Sequence, residues 1–368
     1  MKIVIAPDSF KTVLDAKSVA GHLAEGVRRA RPDAEIITIP MADGGEGTLD
    51  VLVDAAAGKR RKVAAHDPLG RPIDVTVGLI NQAATAVIEL AKVSGYALVP
   101  PESRNPLVTT TFGLGEVLRS VIEAEIEDVI LALGGSATVD GGAGMMQALG
   151  LALHDQHGQA ISEPIGGGRL GDITRITWQS PHAGLDAIRL TIACDVLNPA
   201  CGHEGAAFVF GPQKGADAEA VKKLDEALSR WADLLEVSCG RPLRDEPGTG
   251  AAGGVALPLL AFTNAMLVPG VDVVAEAVGL ASAIADADLV LTGEGRIDRQ
   301  SLMGKVVGAV ARMSRAAEVP CIALCGAAGS GADECLSVLD SYRTLDAPID
   351  QTASRLVEEA ESAARQML

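Results

Sequence analysis

Residues 129–142 read VILALGGSATVDGG, an apolar run that ends in a loop of glycines and small polar residues. The apolar part has the length and composition of a buried strand, and a helix-compatible segment follows the loop. Three further stretches repeat this order: KIVIA–PDSFK at 2–11, IITIP–MADGGEG at 36–47, and LVLT–GEGRID at 289–298. Ligands of open parallel sheets bind at the carboxyl ends of the strands. We therefore expect the four loops to line one crevice.

The pattern of predicted strands and helices changes along the chain, and this change predicts two domains. With 368 residues, the chain is long enough for both. Strand–helix alternation predicts an α/β domain with a parallel sheet from residues 1–60, 105–150 and 271–368. Residues 61–104 and 151–270 contain short strands, turn signals and loops rich in glycine and proline, which predict a second, smaller inserted α/β domain. We expect the active site in the cleft between them.

Composition and charge narrow the classes of function. Hydrophobic residues make up 48% of the chain but aromatic residues only 2%, so the core must be built from small aliphatic side chains. A net charge of -17 argues against a nucleic-acid partner, which requires a basic surface. The N-terminus offers no signal peptide, and glycines and prolines interrupt the uncharged stretch 248–271. We expect a cytoplasmic protein with no membrane partner.

The loop at 134–142 is the strongest single motif. A glycine-rich turn between a strand and a helix exposes backbone N–H groups, which bind phosphate or carboxylate. The alternative is a tight turn that needs glycine for its positive φ angles. We expect a phosphate or nucleotide site made by Gly134, Gly135, Ser136, Thr138, Gly141 and Gly142.

Carboxylates and cations follow the first two strands. Asp43 and Glu46 are suited to a general base or a metal ligand. Their alternative is a pair resembling a capping box at the start of a helix. Asp8 and Lys11 follow the first strand, where a lysine neutralises a transferring phosphoryl group or simply lies at a solvated helix start.

Three later segments carry the remaining candidates. Arg296, between Glu294 and Asp298, is suited to binding a carboxylate or phosphate with two hydrogen bonds, although a surface ion-pair loop has the same composition. Asp195 follows a strand, in a segment that also forms ordinary turns. Lys214 lies on a turn between Pro212 and a glycine.

Five ordered segments resemble the bacterial glycerate kinases that phosphorylate the 2-hydroxyl group: residues 5–11, 42–48, 134–142, 211–216 and 292–298. The resemblance implies a flavodoxin-like domain with a smaller inserted α/β domain, ATP as co-substrate and Mg²⁺ as the metal. The implied reaction converts D-glycerate to 2-phosphoglycerate and ADP. The chain lacks the P-loop, the dinucleotide-binding GxGxxG after the first strand and the protein-kinase motifs.

A kinase of this kind needs a base, phosphate-neutralising cations, substrate-binding groups and metal ligands. We predict Asp195 as the base, with Asp8 as second choice. The other predicted roles are neutralising cations for Lys11 and Lys214, substrate binding for Arg296, Ser9, Asn198 and Asp298, and Mg²⁺ binding for Asp43, Glu46 and Glu294. The alternatives are a kinase or phosphatase acting on another small hydroxy acid and a non-catalytic ligand-binding module. A homodimer is left open.

Overall fold

A computed structural model of the chain describes residues 1–10, 13–178, 184–185, 187–302 and 304–367. The strands are β1 (Lys2–Ile5), β2 (Glu35–Thr38), β3 (Lys59–His66), β4 (Pro72–Ile80), β5 (Thr85–Glu89), β6 (Asp128–Ala132), β7 (Leu151–His154), β8 (Arg175–Trp178), β9 (Arg189–Ala193), β10 (Met266–Val268), β11 (Leu289–Ile297), β12 (Cys321–Ala328) and β13 (Ser341–Thr344). The α-helices are α1 (Ala16–Ala30), α2 (Thr48–Ala55), α3 (Ala91–Ser94), α4 (Phe112–Glu123), α5 (Ala143–Ala148), α6 (Ala206–Phe210), α7 (Ala218–Cys239), α8 (Ala256–Phe262), α9 (Gly270–Ala277), α10 (Leu280–Ala285), α11 (Val306–Ala316) and α12 (Thr352–Met367). Short 3₁₀ helices include Tyr96–Leu98, Pro101–Ser103, Pro212–Lys214 and Arg299–Leu302.

The chain forms two compact units. The first unit contains residues 1–56 and 269–368, and the second contains residues 57–268. Among the helices of the described residues, none has the length and apolar character needed to cross a bilayer.

The first unit contains a five-stranded sheet in the order β2-β1-β11-β12-β13, with every pairing parallel. Counted within the unit, this order is 2-1-3-4-5, which is the flavodoxin-like arrangement. Strands of a parallel sheet are covered on both faces, which explains why β1 and the start of β11 are continuous apolar runs. Aliphatic side chains of α1 and α12 join these strands in one core. The predicted α/β fold class is confirmed.

The second unit contains a six-stranded sheet in the order β10-β9-β6-β5-β4-β3. The pairings from β10 to β5 are parallel, and the hairpin connections from β5 to β3 are antiparallel. A separate antiparallel pair joins β7 and β8. Trp231 of α7 is fully buried in an otherwise mostly aliphatic core.

One part of the predicted domain division is wrong. The sequence predicts residues 105–150 in the first domain, but β6 pairs with β5 and β9 in the sheet of the second unit. With these residues included, the inserted unit is the longer of the two. The pattern misled because a buried parallel strand followed by a helix has the same sequence character in either sheet.

Candidate functional site

The candidate residues lie at the carboxyl edges of two sheets. Segments 7–11, 41–47 and 293–298 belong to the first unit, as expected. The loop at 134–142 follows β6 in the second unit, so the four loops do not all end strands of one sheet, and the expectation that they line one crevice stays a prediction. The candidate residues therefore form two groups, one at the carboxyl edge of each sheet.

In the first unit, the order of the strands reverses between β1 and β11. This reversal marks where ligands bind in such sheets. The chain after β1 stays attached to β11, because the Asp8 amide donates to the Gly293 carbonyl oxygen at 2.8 Å. Paired with β12, β11 continues to Ile297 beyond its pairing with β1. This extension carries Glu294 to the carboxyl edge of the sheet.

Glu294 is the central carboxylate of this group. Its side chain is buried, and its Oε1 has no hydrogen-bond partner within the described chain. Burial raises the pKa of Glu294, and the charges of Asp298 and Asp43 add to this rise. A hydrogen bond from Ser301 and the charge of Lys305 act against it. The net effect of these surroundings is a pKa of Glu294 above its ordinary value, with burial as the main cause.

The carboxylates of Glu294, Asp43 and Asp298 are suited to a divalent cation whose remaining coordination positions are filled by a bound substrate and water. Mg²⁺ in phosphoryl-transfer sites is usually bound by one or two carboxylates, with substrate phosphates and waters completing its shell. The unpartnered oxygen of Glu294, with Asp43 and Asp298 acting on it electrostatically, supplies such a partial set. In the described part of the chain, no group of three or more His, Cys, Asp or Glu side chains forms a complete metal cage.

The other predicted residues near β1 and β2 differ in exposure. Asp8 is buried and its Oδ1 accepts the Ser9 amide at 2.6 Å. Asp43 Oδ1 accepts a hydrogen bond from the Gly45 amide at 3.1 Å. Glu46 is exposed, and α2 begins after Gly47 with no side-chain cap. The capping alternative for Asp43 and Glu46 is therefore wrong.

Arg296 lies on the surface of the first unit. Its side chain is 66% exposed, and its Nε lies 3.8 Å from Asp298 Oδ2. Asp298 Oδ1 in turn accepts the amide of Gln300 at 2.8 Å, which fixes the turn after β11. Lys11 lies outside the described residues.

In the second unit, Lys214 is buried against the glycine-rich loop. Its Nζ donates to Ser136 Oγ at 2.6 Å and to the Thr138 carbonyl oxygen at 2.8 Å. Burial lowers the pKa of Lys214 to about 7, although the charge of Asp140 acts in the opposite direction. The 3₁₀ helix Pro212–Lys214 thus delivers a buried cation to a loop 76–78 residues away in sequence.

The glycine-rich loop is braced by bonds to the protein. Gly135 and Gly141 have φ angles of 71° and 58°, which favour glycine. The amides of Ala137 and Gly141 donate to carbonyl oxygens outside the loop, at 2.9 and 3.0 Å. These two amides are therefore occupied, whereas the Thr138 hydroxyl is buried without a partner in the described chain. The structure adds Lys214 to the Ser136 and Thr138 hydroxyls that the sequence indicated.

Asp140 connects this loop to the start of α4. Its Oδ2 accepts hydrogen bonds from the Thr111 amide at 2.8 Å and the Thr111 hydroxyl at 2.7 Å. Its Oδ1 accepts the Gly142 amide at 3.2 Å. Burial raises the pKa of Asp140, and these hydrogen bonds oppose the rise. The side chain holds the loop in position.

Asp195 and Asn198 follow β9, the strand next to β6. Both therefore lie at the same sheet edge as the glycine-rich loop. Asp195 is half-buried, and its charge contributes, after burial of the thiol, to the raised pKa of Cys194. Asn198 Nδ2 donates to the Glu204 carbonyl oxygen at 2.8 Å, which orders the following turn.

Sequence reasoning did not assign several polar residues near these groups. Glu89 is buried at the carboxyl end of β5, with Oε2 lying 3.4 Å from Lys92 Nζ. The Ser94 hydroxyl is buried and lacks a partner in the described chain. Lys305 acts electrostatically on Glu294. Glu89 could have been selected from the sequence, because it lies at the end of the predicted strand at 85–90, as the other candidates lie at the ends of theirs. Ser94 and Lys305 depend on contacts between distant segments.

Comparisons with known proteins agree over nearly the whole chain. A family model described as "Glycerate kinase family" matches residues 3–368. A glycerate kinase of Haemophilus influenzae is 43% identical, over 99% of this chain and 98% of the relative. An Escherichia coli protein named glycerate 2-kinase is 42% identical, over 94% and 92%. A crystal structure assigned to glycerate kinase 2 of Salmonella typhimurium LT2 has a TM-score of 0.87 at 41% identity, over 99% of this chain and 97% of that one.

Proposed function

Because the chain belongs to the glycerate kinase family, we propose that it transfers the γ-phosphoryl group of ATP to the 2-hydroxyl of D-glycerate, giving 2-phosphoglycerate and ADP. The observation that carries the proposal is the family match from residue 3 to residue 368, which includes both polar groups described above. ATP and Mg²⁺ are the proposed co-substrate and metal. We assign the reaction to the cytoplasm, where ATP is available.

The proposed role of Lys214 is to neutralise phosphate oxygens. Phosphoryl transfer depends mainly on positioning and on stabilising negative charge. The bonds from Lys214 Nζ to Ser136 and Thr138 support this role, because they fix the ammonium group before a ligand arrives. The neighbouring glycine-rich loop, with Gly134, Gly135, Ser136, Thr138, Gly141 and Gly142, is the proposed phosphate site. Lys11 is proposed as a second cation.

The proposed Mg²⁺ ligands are Glu294 and Asp43. The buried, unpartnered Oε1 of Glu294 supports this assignment, as does the effect of Asp43 on the Glu294 pKa. When bound, the metal would reduce the repulsion between phosphate oxygens and the nucleophile. Glu46 is exposed, and its role as a third ligand remains a prediction.

Two further roles are proposed, a base for the 2-hydroxyl and a set of groups that bind glycerate. Asp195 is the proposed base that accepts the proton of the 2-hydroxyl, and Asp8 is the second candidate. Arg296 is proposed to bind the glycerate carboxylate, because its guanidinium is exposed and Asp298 Oδ2 lies at 3.8 Å from its Nε, beyond hydrogen-bond distance. The proposed substrate-binding set also includes Ser9, Asn198 and Asp298.

Phosphorus NMR of the product formed from ATP, Mg²⁺ and D-glycerate tests the proposal. We expect ADP and 2-phosphoglycerate in equal amounts, and no turnover after Mg²⁺ is removed with a chelator. A 3-phosphoglycerate product would contradict the position of transfer. ADP release with another small hydroxy acid but not with glycerate would contradict the substrate. Phosphate release from 2-phosphoglycerate without ADP would indicate a phosphatase.

A further inference from the structure

A cavity in the second unit lies beside the segment that contains Lys214. Its volume is about 430 Å³, within the range of small-molecule sites. Its lining includes the charged residues Glu102, Arg104 and Asp217, together with Gly215, the chain neighbour of Lys214. None of these has been assigned a role above.

Arg104 is the cation of this cavity, and its side chain is held in a fixed position. Its guanidinium lies 3.5 Å from the centre of the Tyr96 ring. Nη1 donates to the Tyr96 hydroxyl and Nε donates to the Val99 carbonyl oxygen at 3.3 Å. Within the described residues, Arg104 forms no ion pair with a carboxylate. A guanidinium that is held in place but has no paired carboxylate can bind the anion of a ligand with little loss of side-chain entropy.

Backbone contacts connect Arg104 to the loop that Lys214 contacts. The Tyr96 amide donates to the Gly135 carbonyl oxygen at 2.8 Å, and Gly95 forms an antiparallel bridge with Ser136. On the other side, Gly215 has a φ of 98°, and a Cβ there would clash with the Arg104 carbonyl oxygen. The segments carrying Arg104, Ser136 and Lys214 are thus joined directly.

The acidic residues of the cavity do not neutralise Arg104. Asp217 Oδ1 accepts the amides of Glu219 and Ala220, at 3.1 and 2.8 Å, and caps the N-terminus of α7. Glu102 is exposed and belongs to a short 3₁₀ helix. Both therefore leave the guanidinium available.

We propose that Arg104, held over Tyr96, binds an oxyanion of a substrate in this cavity. The chemistry is that of a carboxylate or a phosphate, since both accept paired N–H groups from a guanidinium. The sources are the carboxylate of glycerate and the phosphates of ATP, so this inference rests on the proposed function. Arg104 is then a substrate-binding residue, in addition to bracing Tyr96 and Val99.

The variants Arg104→Ala and Arg104→Lys test this inference in the full-length protein. Steady-state kinetics would give KM for ATP and for D-glycerate, and calorimetry would give the Kd of ADP in the absence of glycerate. We expect Arg104→Ala to raise one of these KM values at least ~10-fold, with a smaller rise for Arg104→Lys, which retains charge without the planar fork. Added guanidinium should partly restore Arg104→Ala. Arg189→Ala is the matched control, because Arg189 is an exposed arginine at the amino end of β9, paired with Asp128.

Each outcome identifies the source or overturns the inference. A rise confined to the glycerate KM identifies the carboxylate, and a weaker ADP Kd with a raised ATP KM identifies the phosphates. Both KM values and the ADP Kd within twofold of wild type, in a folded variant, would overturn it, as would a lower Tm without any KM change. If Arg104→Ala does not fold, the KM values of Arg104→Lys decide. If wild type does not phosphorylate glycerate, the proposed function fails, and ADP binding by the variants still tests Arg104.

Discussion

Lys214 with Ser136, Thr138 and Asp140 in the second unit, and Glu294 with Asp43 and Asp298 in the first unit, are built around side chains of opposite charge. The two groups share one property. Each contains a buried ionisable side chain without an oppositely charged partner within 4 Å among the described residues. Burial lowers the pKa of Lys214 and raises the pKa of Glu294, so both shifts favour the uncharged form. A phosphate would relieve the first and a metal ion the second. Such perturbed groups are typical of functional sites.

The largest effect is expected from removing the ammonium group of Lys214. Lys214→Met keeps most of the side-chain volume but leaves phosphate oxygens without their ammonium partner. We expect kcat/KM for ATP to fall at least ~10³-fold, equivalent to about 4 kcal/mol. The Tm should stay the same or rise, because the buried charge costs free energy in the folded protein. Steady-state kinetics and thermal denaturation measure the two effects.

Lys222→Met is the control, since Lys222 lies exposed on α7 in the same unit. It should leave both kcat/KM and Tm nearly unchanged. Full activity of a folded Lys214→Met protein would reduce Lys214 to a brace between the loop and its 3₁₀ helix.

The second-largest effect is expected from replacing the base, and it shows which unit supplies that base. Asp195→Asn preserves shape but cannot accept a proton, so kcat should fall about 10²- to 10³-fold with little change in the glycerate KM. Asp8→Asn provides the comparison from the first unit. If Asp195→Asn keeps full kcat while Asp8→Asn abolishes turnover, the base belongs to the first unit.

Removing the charge of the buried acid tests the metal assignment. We expect Glu294→Gln to lower kcat about 10²-fold at fixed Mg²⁺ and to raise the Mg²⁺ concentration for half-maximal rate. Binding of Mn²⁺ to the ATP-bound protein, followed by electron paramagnetic resonance, should weaken in parallel. Glu46→Gln shows whether the exposed carboxylate takes part, and the exposed Glu276→Gln is the control. Unchanged metal dependence in Glu294→Gln would exclude Glu294 as a ligand.

The pH dependence separates activity from stability at Lys214. With a pKa of about 7, the free enzyme loses this cation as pH rises through 7. We expect kcat/KM for ATP to fall about tenfold per pH unit above that point. Lys214→Arg should abolish this decline, because arginine stays charged. A decline that persists unchanged in this variant would belong to another group.

Stability should respond in the opposite direction. Below pH 7 Lys214 is protonated in both folded and unfolded chains, so its contribution is constant there. Between about pH 7 and the ordinary lysine pKa near 10.4, the unfolded chain holds the additional proton, so its contribution to folding stability rises with pH. Chemical denaturation of wild type and Lys214→Met over this range would isolate that contribution.

Local patterns predicted β1, β2, β6 and the start of β11 together with the loops that follow them, because burial on both faces and strand-end glycines leave direct traces in sequence. They did not predict that β6 joins β5 and β9, since sheet membership depends on contacts between distant segments. The same limit applies to the site. Lys214 and Ser136 were selected separately, and only the fold shows that they touch. Arg104 gave no signal, because its importance depends on Tyr96 and an adjacent cavity.

The smallest expected effect concerns how the glycine-rich loop is supported in the second unit. Trp231 Nε1 donates to the Gly141 carbonyl oxygen at 2.8 Å, and its side chain is fully buried. Trp231→Phe removes the donor and leaves that carbonyl unsatisfied, which should lower the free energy of unfolding by about 1–3 kcal/mol. Below its Tm the variant should lose less than tenfold in kcat/KM, because Lys214 and Ser136 remain. Urea denaturation and kinetics on one preparation separate the two effects. Unchanged stability would show that packing alone holds Gly141, and a loss as large as that of Lys214→Met would show that loop geometry matters as much as the cation.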